Sequence, residues 1–456
     1  MSSIRMQETQ AEAPARKVAV ATMIGTATEW YDYFLYGTAS ALVFSKLFFP
    51  NFSQAAGTLA IFAVFGVTLI IRPIGAAIFG HFGDRLGRKS MLIMSILVMG
   101  IGTFAIGLLP TFASIGIWAP VLLILLRVFQ GFAVGGEYGG STVMALEYAP
   151  PGKRGLYASI PQIGNPIGML LGTLTLYLFT LLPQDQFLAW GWRVPFLLSA
   201  VMVAIGLYIR LNIAETPAFK HAQAKKEIRQ MPLRSLWRNY RRAMILVILA
   251  PAALNVGFYI FSTWSISYLT HNLHMPIQAA LAAVMIAAAL NIFAQPLFGA
   301  LSDKIGRRPV YIAGSLWIGL MAFPFFWLLG TASLLWVTVA MILTITIGHG
   351  ATYSVQASFI SEAFGTDVRY SGLSITYHLS AALFSCPALL LAAGMQGWTQ
   401  HTWAISVMIV AAAVLSLVTI LMLSETRLVD IQDAASYGEK DEPTRAQIEP
   451  STSSAS

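Results

Sequence analysis

GHFGDRLGRKS, residues 80–90, lies between two long apolar runs, and the chain returns to nearly the same string at residues 299–309, GALSDKIGRRP. The two copies match acid to acid at Asp84 and Asp303, and glycine to glycine at Gly80 and Gly299 and at Gly87 and Gly306. Their basic ends also match, with Arg85, Arg88 and Lys89 answering to Lys304, Arg307 and Arg308. Two more landmarks follow each copy in the same order. Glu147 precedes Arg154 by seven residues, as Glu362 precedes Arg369, and Glu215-Thr216 then answers to Glu425-Thr426. The three offsets are 219, 215 and 210 residues. One such match would be chance, but three in order read as an internal duplication.

The flanking composition says what was duplicated. Of 456 residues, 57% are hydrophobic and 11% charged, against about 45–50% and about 25% in soluble domains. Twelve apolar stretches, near 18–43, 56–81, 90–110, 116–148, 155–182, 192–213, 243–270, 277–300, 309–329, 333–361, 370–394 and 401–423, each reach the roughly 20 residues that span a bilayer core. A helix satisfies its own backbone hydrogen bonds where water is absent. The expected fold is therefore all-α and membrane-integral, with two pseudo-symmetric six-helix bundles at 18–213 and 243–423. A tail at 1–17, a charged linker at 214–242 and a tail at 424–456 complete the division.

The polar first 17 residues precede a run too long for a signal-peptide core, so the first span should be retained. Cys386 is the only cysteine, which excludes an internal disulfide. Lys and Arg crowd the loops on one side, leaving Lys46 and Arg193 on the other, so both termini are expected in the cytoplasm. The formal charge of +8 reads as this sorting signal. No basic patch is interleaved with stacking aromatics, so no nucleic-acid partner is expected.

Parallel six-helix repeats with a midplane site describe a rocking carrier. Such a carrier needs a latch on its cytoplasmic side, and the duplicated loop supplies one twice. Gly80 and Gly299 permit close helix approach, Gly87 and Gly306 a tight turn, and the acids can pair with arginines or face a helix N-terminus. Topology alone would need the bases but not the fixed Asp and Gly positions.

These residues also carry a resemblance. With GTATEWYDYFLYGTASALVFSKLFFP at 25–50, RPIGAAIFGHFGDRLGRK at 72–89, LRVFQGFAVGGEYGG at 126–140, GWRVPFLLSA at 191–200, ETPAF at 215–219 and VRYSGLSITY at 368–377, the chain resembles the major facilitator superfamily. Within it, the chain is similar to the metabolite:proton symporters, above all the shikimate and related organic-acid carriers. The resemblance implies proton-coupled uptake of a small organic acid, by a monomer in the inner (plasma) membrane. Relatives in that family also carry citrate, 2-oxoglutarate or proline/betaine. Proline/betaine members can bear a heptad-patterned C-terminal extension, which the short Ser-rich tail here lacks. A zwitterion symporter and an efflux antiporter of the same fold are the alternatives.

A charge at the bilayer centre costs about 2.5–3.5 kcal/mol, and the N-terminal half holds five: Glu29, Asp32, Arg72, Arg127 and Glu137. Pairing is expected, and by helix rise Glu29 and Arg127 reach similar depth. Glu29 is then the paired acid, and Asp32, farther from an arginine, the proton carrier. Tyr33 and Tyr36 share that face of span 1, and Arg127, Gln130 and Glu137 form a stripe on span 4. An incoming carboxylate held by Arg72 or Arg127 would displace an acid, which must then take a proton. The plain alternative is a permanent ion-pair network holding spans 1, 2 and 4 together. Glu147 with Arg154, and Glu362 with Arg369, are expected as gate pairs.

The C-terminal half should contribute neutral groups: Asn255, Tyr259 and Trp264, Tyr353 and Gln356, Tyr377 and His378, joined by Gln162 and Asn165 of span 5. Each serves equally as a helix–helix hydrogen bond. His349 and His378 are possible proton shuttles, though a single buried His is more often a packing residue. No phosphate-cradling loop, metal motif or nucleophile–base pair is found. The expectation is therefore no enzyme, no ATP drive, no cofactor and no metal. GGEYGGS at 135–141 reads as helix packing rather than a nucleotide loop.

Overall fold

The computed structural model describes residues 2–86, 88–211, 232–364 and 369–429, and among these every regular element is helical. The first six spans are Ser2–Ala39 with a π-helical Ser40–Phe44, Gln54–Leu86, Arg88–Leu108, Trp118–Val134 with Glu137–Glu147, Arg154–Gln162 with Gly164–Phe179, and Arg193–Leu211. Span 7 joins Pro232–Leu249, Ala252–Tyr259 and a π-helical Ile260–Trp264, and span 8 is Ile277–Ile305. Span 9 joins Arg307–Leu320 and Ala322–Gly330; span 10 joins Leu334–Met341, a π-helical Ile342–His349 and Gly350–Ser361. Arg369–Thr399 and Trp403–Met422 are spans 11 and 12.

Seven of these are long and apolar enough to cross a bilayer unaided, and two more do so as pairs bent by 44° at span 6 and 45° in span 9. The remaining three depart for reasons written in the sequence. Span 1 carries two acids, the apolar part of span 3 is only Ile93–Leu108, and span 5 breaks between its prolines at Ile163.

Two expected boundaries shift. The helix of span 7 starts at Pro232, inside the stretch expected to be linker. Proline is pre-shaped for a first helical turn, where its missing N–H costs nothing, and a break at Tyr240 (φ −125°, ψ 17°) separates this amphipathic leg from the apolar part. Span 1 likewise extends back through the expected tail to Ser2. The rest of the linker, including Glu215-Thr216, and the tail beyond 429 lie outside the described residues. So do Gly87 and the side chains of Gly80, Asp84, Arg85, Arg88 and Lys89.

Two contacts join the halves along their length: span 2 with span 11, and span 5 with span 8. Under the repeat these are one contact made twice. Each relies on missing side chains. A Cβ on Gly299 would sit 2.7 Å from both the Gly155 carbonyl and the Ser159 Cβ, and one on Gly66 would strike the Cys386 sulfur. Within the first half, a Cβ on Gly131 would lie 2.9 Å from the Thr68 Cα, so the glycines around GGEYGGS do pack helices. The halves meet at the edge carrying the basic loops, across the middle through aromatic rings, and at the far edge, where the Gln278 amide donates to the Thr180 carbonyl (3.1 Å). Between these contacts the central side chains, Glu29, Asp32, Arg72 and Arg127 among them, are buried.

Candidate functional site

The five intramembrane charges are all at least 95% buried, and four of them form two pairs. Arg127 Nη1 lies 3.5 Å from Asp32 Oδ2, and Arg72 Nη1 lies 3.8 Å from Glu29 Oε1. This corrects the expected pairing of Glu29 with Arg127. Counting rise from a helix end is uncertain by about a turn, near 5 Å, which is the spacing of Glu29 and Asp32. Asp32 is not the acid remote from arginine. It also accepts from the Gln130 amide (3.0 Å) and from the Thr103 hydroxyl of span 3, while Gln130 Oε1 accepts from Arg127 (2.8 Å). Thr103, one threonine in an apolar run, gave no sequence signal.

Each arginine lies over a tyrosine face. The Arg127 guanidinium is 3.8 Å from the Tyr36 ring centre and that of Arg72 is 4.9 Å from Tyr33, so span 1 supplies both the acid and the ring for each cation. Arg127 spends only Nη1 on this network; its Nε and Nη2 have no hydrogen-bond partner in the protein. Those two atoms form one edge of the guanidinium, the geometry that grips a carboxylate by two parallel bonds. Glu137 is fully buried at the start of Glu137–Glu147, after a break at Gly135–Gly136 that interrupts the expected stripe from Arg127.

Aromatic residues close the middle. Tyr138 stacks flat on Tyr377 across the two halves (3.5 Å, 6°), with His378 beside them. Tyr33 meets Tyr259 edge-on at 5.6 Å, and Trp30 meets Tyr353 at 6.2 Å. His349 lies between Phe258 and Tyr353 (4.0 and 4.9 Å). Some expected residues stand apart. Asn255 donates to Ser380 of span 11 (2.9 Å) as an internal helix–helix bond, and Trp264 stacks on Tyr268. Gln162 reaches Thr142 at 3.4 Å, and Asn165 and Gln356 are fully buried.

At the basic edge the second loop copy forms a cross-half contact. Asp303 accepts from the backbone N–H of Gly155 (2.8 Å) and of Leu156 (2.9 Å), the first turn of span 5, and from Arg307 (2.7 Å). The acid thus both pairs with an arginine and faces a helix N-terminus, where the dipole favours negative charge. The gate pairing differs from the expected one. Glu147 lies 4.0 Å from Arg369, Glu362 lies 3.4 Å from Arg307, and Arg154 donates to the Val429 carbonyl (2.7 Å). Arg369 also donates through Nε to the Ser361 and Phe364 carbonyls (3.1 and 3.2 Å), closing the end of span 10. Of these ion pairs Glu147–Arg369 crosses between the repeats, as a latch requires, while Glu362–Arg307 lies within the second half.

The segment after span 12 completes this edge. Glu425 accepts from the N–H groups of Arg307 and Arg308 (2.9 and 3.0 Å), and Thr426 donates to Glu362 (2.6 Å). Gly306, at φ 109°, makes the turn that presents those N–H groups, and Arg308 donates to the Leu421 carbonyl. A cavity of about 600 Å³ remains among Arg154, Asp303, Arg307 and Arg427. Glu362 lies one residue past span 10. Burial pushes its carboxyl above the ordinary range, against the pull of Arg307 and the Thr426 hydroxyl.

Comparison with known proteins agrees with this architecture. The Major Facilitator Superfamily profile matches residues 22–385. The Escherichia coli (strain K12) shikimate transporter is 38% identical over 91% of this chain and 95% of that protein. The inner membrane metabolite transport protein YhjE of the same organism is 41% identical over 90% and 94%. The E. coli proline/betaine transporter is 34% identical over 90% and 84%. The solved structure of the proton:xylose symporter XylE bound to 6-bromo-6-deoxy-D-glucose shares the fold, with a TM-score of 0.75 and 17% identity over 94% of this chain and all of that one. This protein is a multi-pass membrane transporter rather than an enzyme, and it belongs to the Major Facilitator Superfamily.

Proposed function

We infer that the chain is a proton-coupled symporter that imports a small carboxylate-bearing metabolite by alternating access. The observation that carries this reading is the unpartnered Nε–Nη2 edge of Arg127, fully buried in the membrane centre. A substrate carboxylate on that edge receives two charge-assisted bonds, while Asp32 keeps Nη1. The five buried charges sum to −1 when ionised, so each bound carboxylate deepens the deficit and one proton restores it. Asp32 is held by Arg127, Gln130 and Thr103. The proton is therefore assigned to Glu29, opposite Arg72, reversing the order that depth alone suggested. Tyr33, Tyr259, Tyr353 and Tyr377 line the approach, and the halves 18–213 and 243–423 rock about them.

The Lys and Arg distribution puts the basic edge and both termini in the cytoplasm of a cell with this protein in its inner membrane, where it acts as a monomer. The names of the relatives support an organic-acid or zwitterion substrate. Uptake into proteoliposomes under an imposed proton gradient tests the reading, over shikimate, citrate, 2-oxoglutarate, aromatic acids, proline and betaine. Accumulation of a carboxylate that a protonophore abolishes is the expected result. Accumulation undiminished by protonophore, or export driven by the same gradient, refutes it.

A further inference from the structure

Arg127 keeps its Nε–Nη2 edge without a protein partner although a buried aspartate stands beside it. Carboxylate and guanidinium groups frequently close into two parallel bonds, so the open edge needs a cause. Asp32 meets Arg127 through Oδ2 alone, at 3.5 Å from Nη1. Its other oxygen is held elsewhere. Oδ1 accepts from the Thr103 hydroxyl and from Gln130 Nε2 (3.0 Å), and the Thr103 oxygen in turn accepts from Gln130 Nε2 (2.9 Å). Spans 3 and 4 thereby fill both lone-pair directions of Oδ1.

Span 3 is shaped for this approach. A Cβ on Gly102 would stand 2.7 Å from Gln130 Cγ, so the residue before Thr103 lets span 3 close onto span 4. Two turns earlier, the Ser95 hydroxyl donates to the Ala133 carbonyl of span 4 (2.5 Å). The Thr103 proton has a second acceptor in reach, the Met99 carbonyl one turn back (3.0 Å), a common partner of a helical threonine. Thr103 is thus satisfied within its own helix, and its bond to Asp32 is a constraint on Asp32. Being charged, the aspartate oxygen makes a bond about twice as strong as the carbonyl does.

We propose that Thr103 is a positioning residue for substrate binding: it holds Oδ1 of Asp32 away from Arg127, so that the Nε–Nη2 edge stays open for the incoming carboxylate. Nη2 belongs both to that edge and to the end-on Nη1–Nη2 pair. With Oδ1 released, Asp32 would turn to meet Nη1 and Nη2 together. The protein's own acid would then occupy an atom that the substrate needs. This inference rests on the carboxylate reading of Arg127 and adds span 3 to it.

Binding to the purified full-length protein is measured by calorimetry with shikimate, citrate, 2-oxoglutarate and benzoate, each alongside its methyl ester. Thr103→Val removes the hydroxyl and keeps the shape; Thr103→Ala, which adds no bulk, carries the same expectation should valine hinder insertion. Either change should weaken a bound acid about 10-fold, as loss of one bond to a charged group does, and Thr103→Ser should restore wild-type affinity. In an Asp32→Asn background the change should have no effect, because no anionic oxygen is left to release; this double-mutant cycle separates positioning from a packing role. Wild-type affinity in Thr103→Val, equal weakening in Thr103→Ser, or equal weakening with and without the Asp32 charge overturns the role of Thr103 and leaves the Arg127 reading standing. An ester that binds as well as its acid overturns the Arg127 reading itself. Failure of the wild type to bind any of the acids overturns both.

Discussion

Asp303→Asn isolates what the latch holds across the two halves. Asp303 bonds to Arg307 within its own half and to two N–H groups at the start of span 5 in the other. The Arg307 contact survives when the halves part, so it drops out of the difference between closed and open states. The two N–H bonds do not survive. Bonds to a charged acceptor contribute about 1.5–3 kcal/mol each, and an Asn oxygen recovers one neutral bond of about 1 kcal/mol. Loss of charge at the helix N-terminus works in the same direction. The substitution should destabilise the closed basic edge by about 2 kcal/mol, shifting the closed-to-open ratio roughly 30-fold. Spin labels at Pro151→Cys and Lys304→Cys, both exposed positions, in a Cys386→Ser background report that ratio as a distance distribution. A short-distance population in Asp303→Asn equal to that of the parent would refute the latch.

Gly299→Val should drive the same edge open, because its side chain meets Ser159 and the Gly155 carbonyl; the same labels should read the long distance. Arg127→Lys keeps the charge but loses both the fork and the flat contact with Tyr36, so KM should rise about 10-fold or more. Unchanged KM in uptake would make Arg127 a structural charge. Glu29→Gln should abolish accumulation while sparing substrate exchange, and Asp32→Asn should impair both; the opposite pattern returns the proton to Asp32. Burial raises the Glu362 carboxyl in the closed edge, and hydration on opening should return it toward the ordinary range. Closure should therefore strengthen as the pH falls below that raised value and weaken as it rises through it. Glu362→Gln should flatten the dependence, measured with the same label pair.

The duplicated loop made the fold legible, because six spans per repeat and three landmarks in order leave few other architectures. The buried charges were legible as a set, since each stands alone in an apolar run. Their pairing was not. Glu29 and Asp32 differ by one helical turn, and no count from a helix end resolves one turn. The latch was half legible. Asp303 and its repeat partner drew attention, but the groups that Asp303 binds are backbone N–H atoms of Gly155 and Leu156, which every residue possesses. Glu147 and Glu362 looked paired with their own sequence neighbours, yet their partners come from elsewhere in the fold. Thr103 stayed hidden because one polar residue in an apolar helix is as often a packing bond as a site residue.

The chain has one thiol, and its sulfur faces Gly66 where span 11 crosses span 2. Those helices belong to different halves, and the crossing lies toward the far edge. Parting that edge must uncover the sulfur, and shutting it must hide the sulfur again. Alkylation by a membrane-impermeant maleimide applied from that side then becomes a clock for outward exposure in unmodified protein. Substrates would rank by how much they slow or quicken it, before any radiolabelled compound is made.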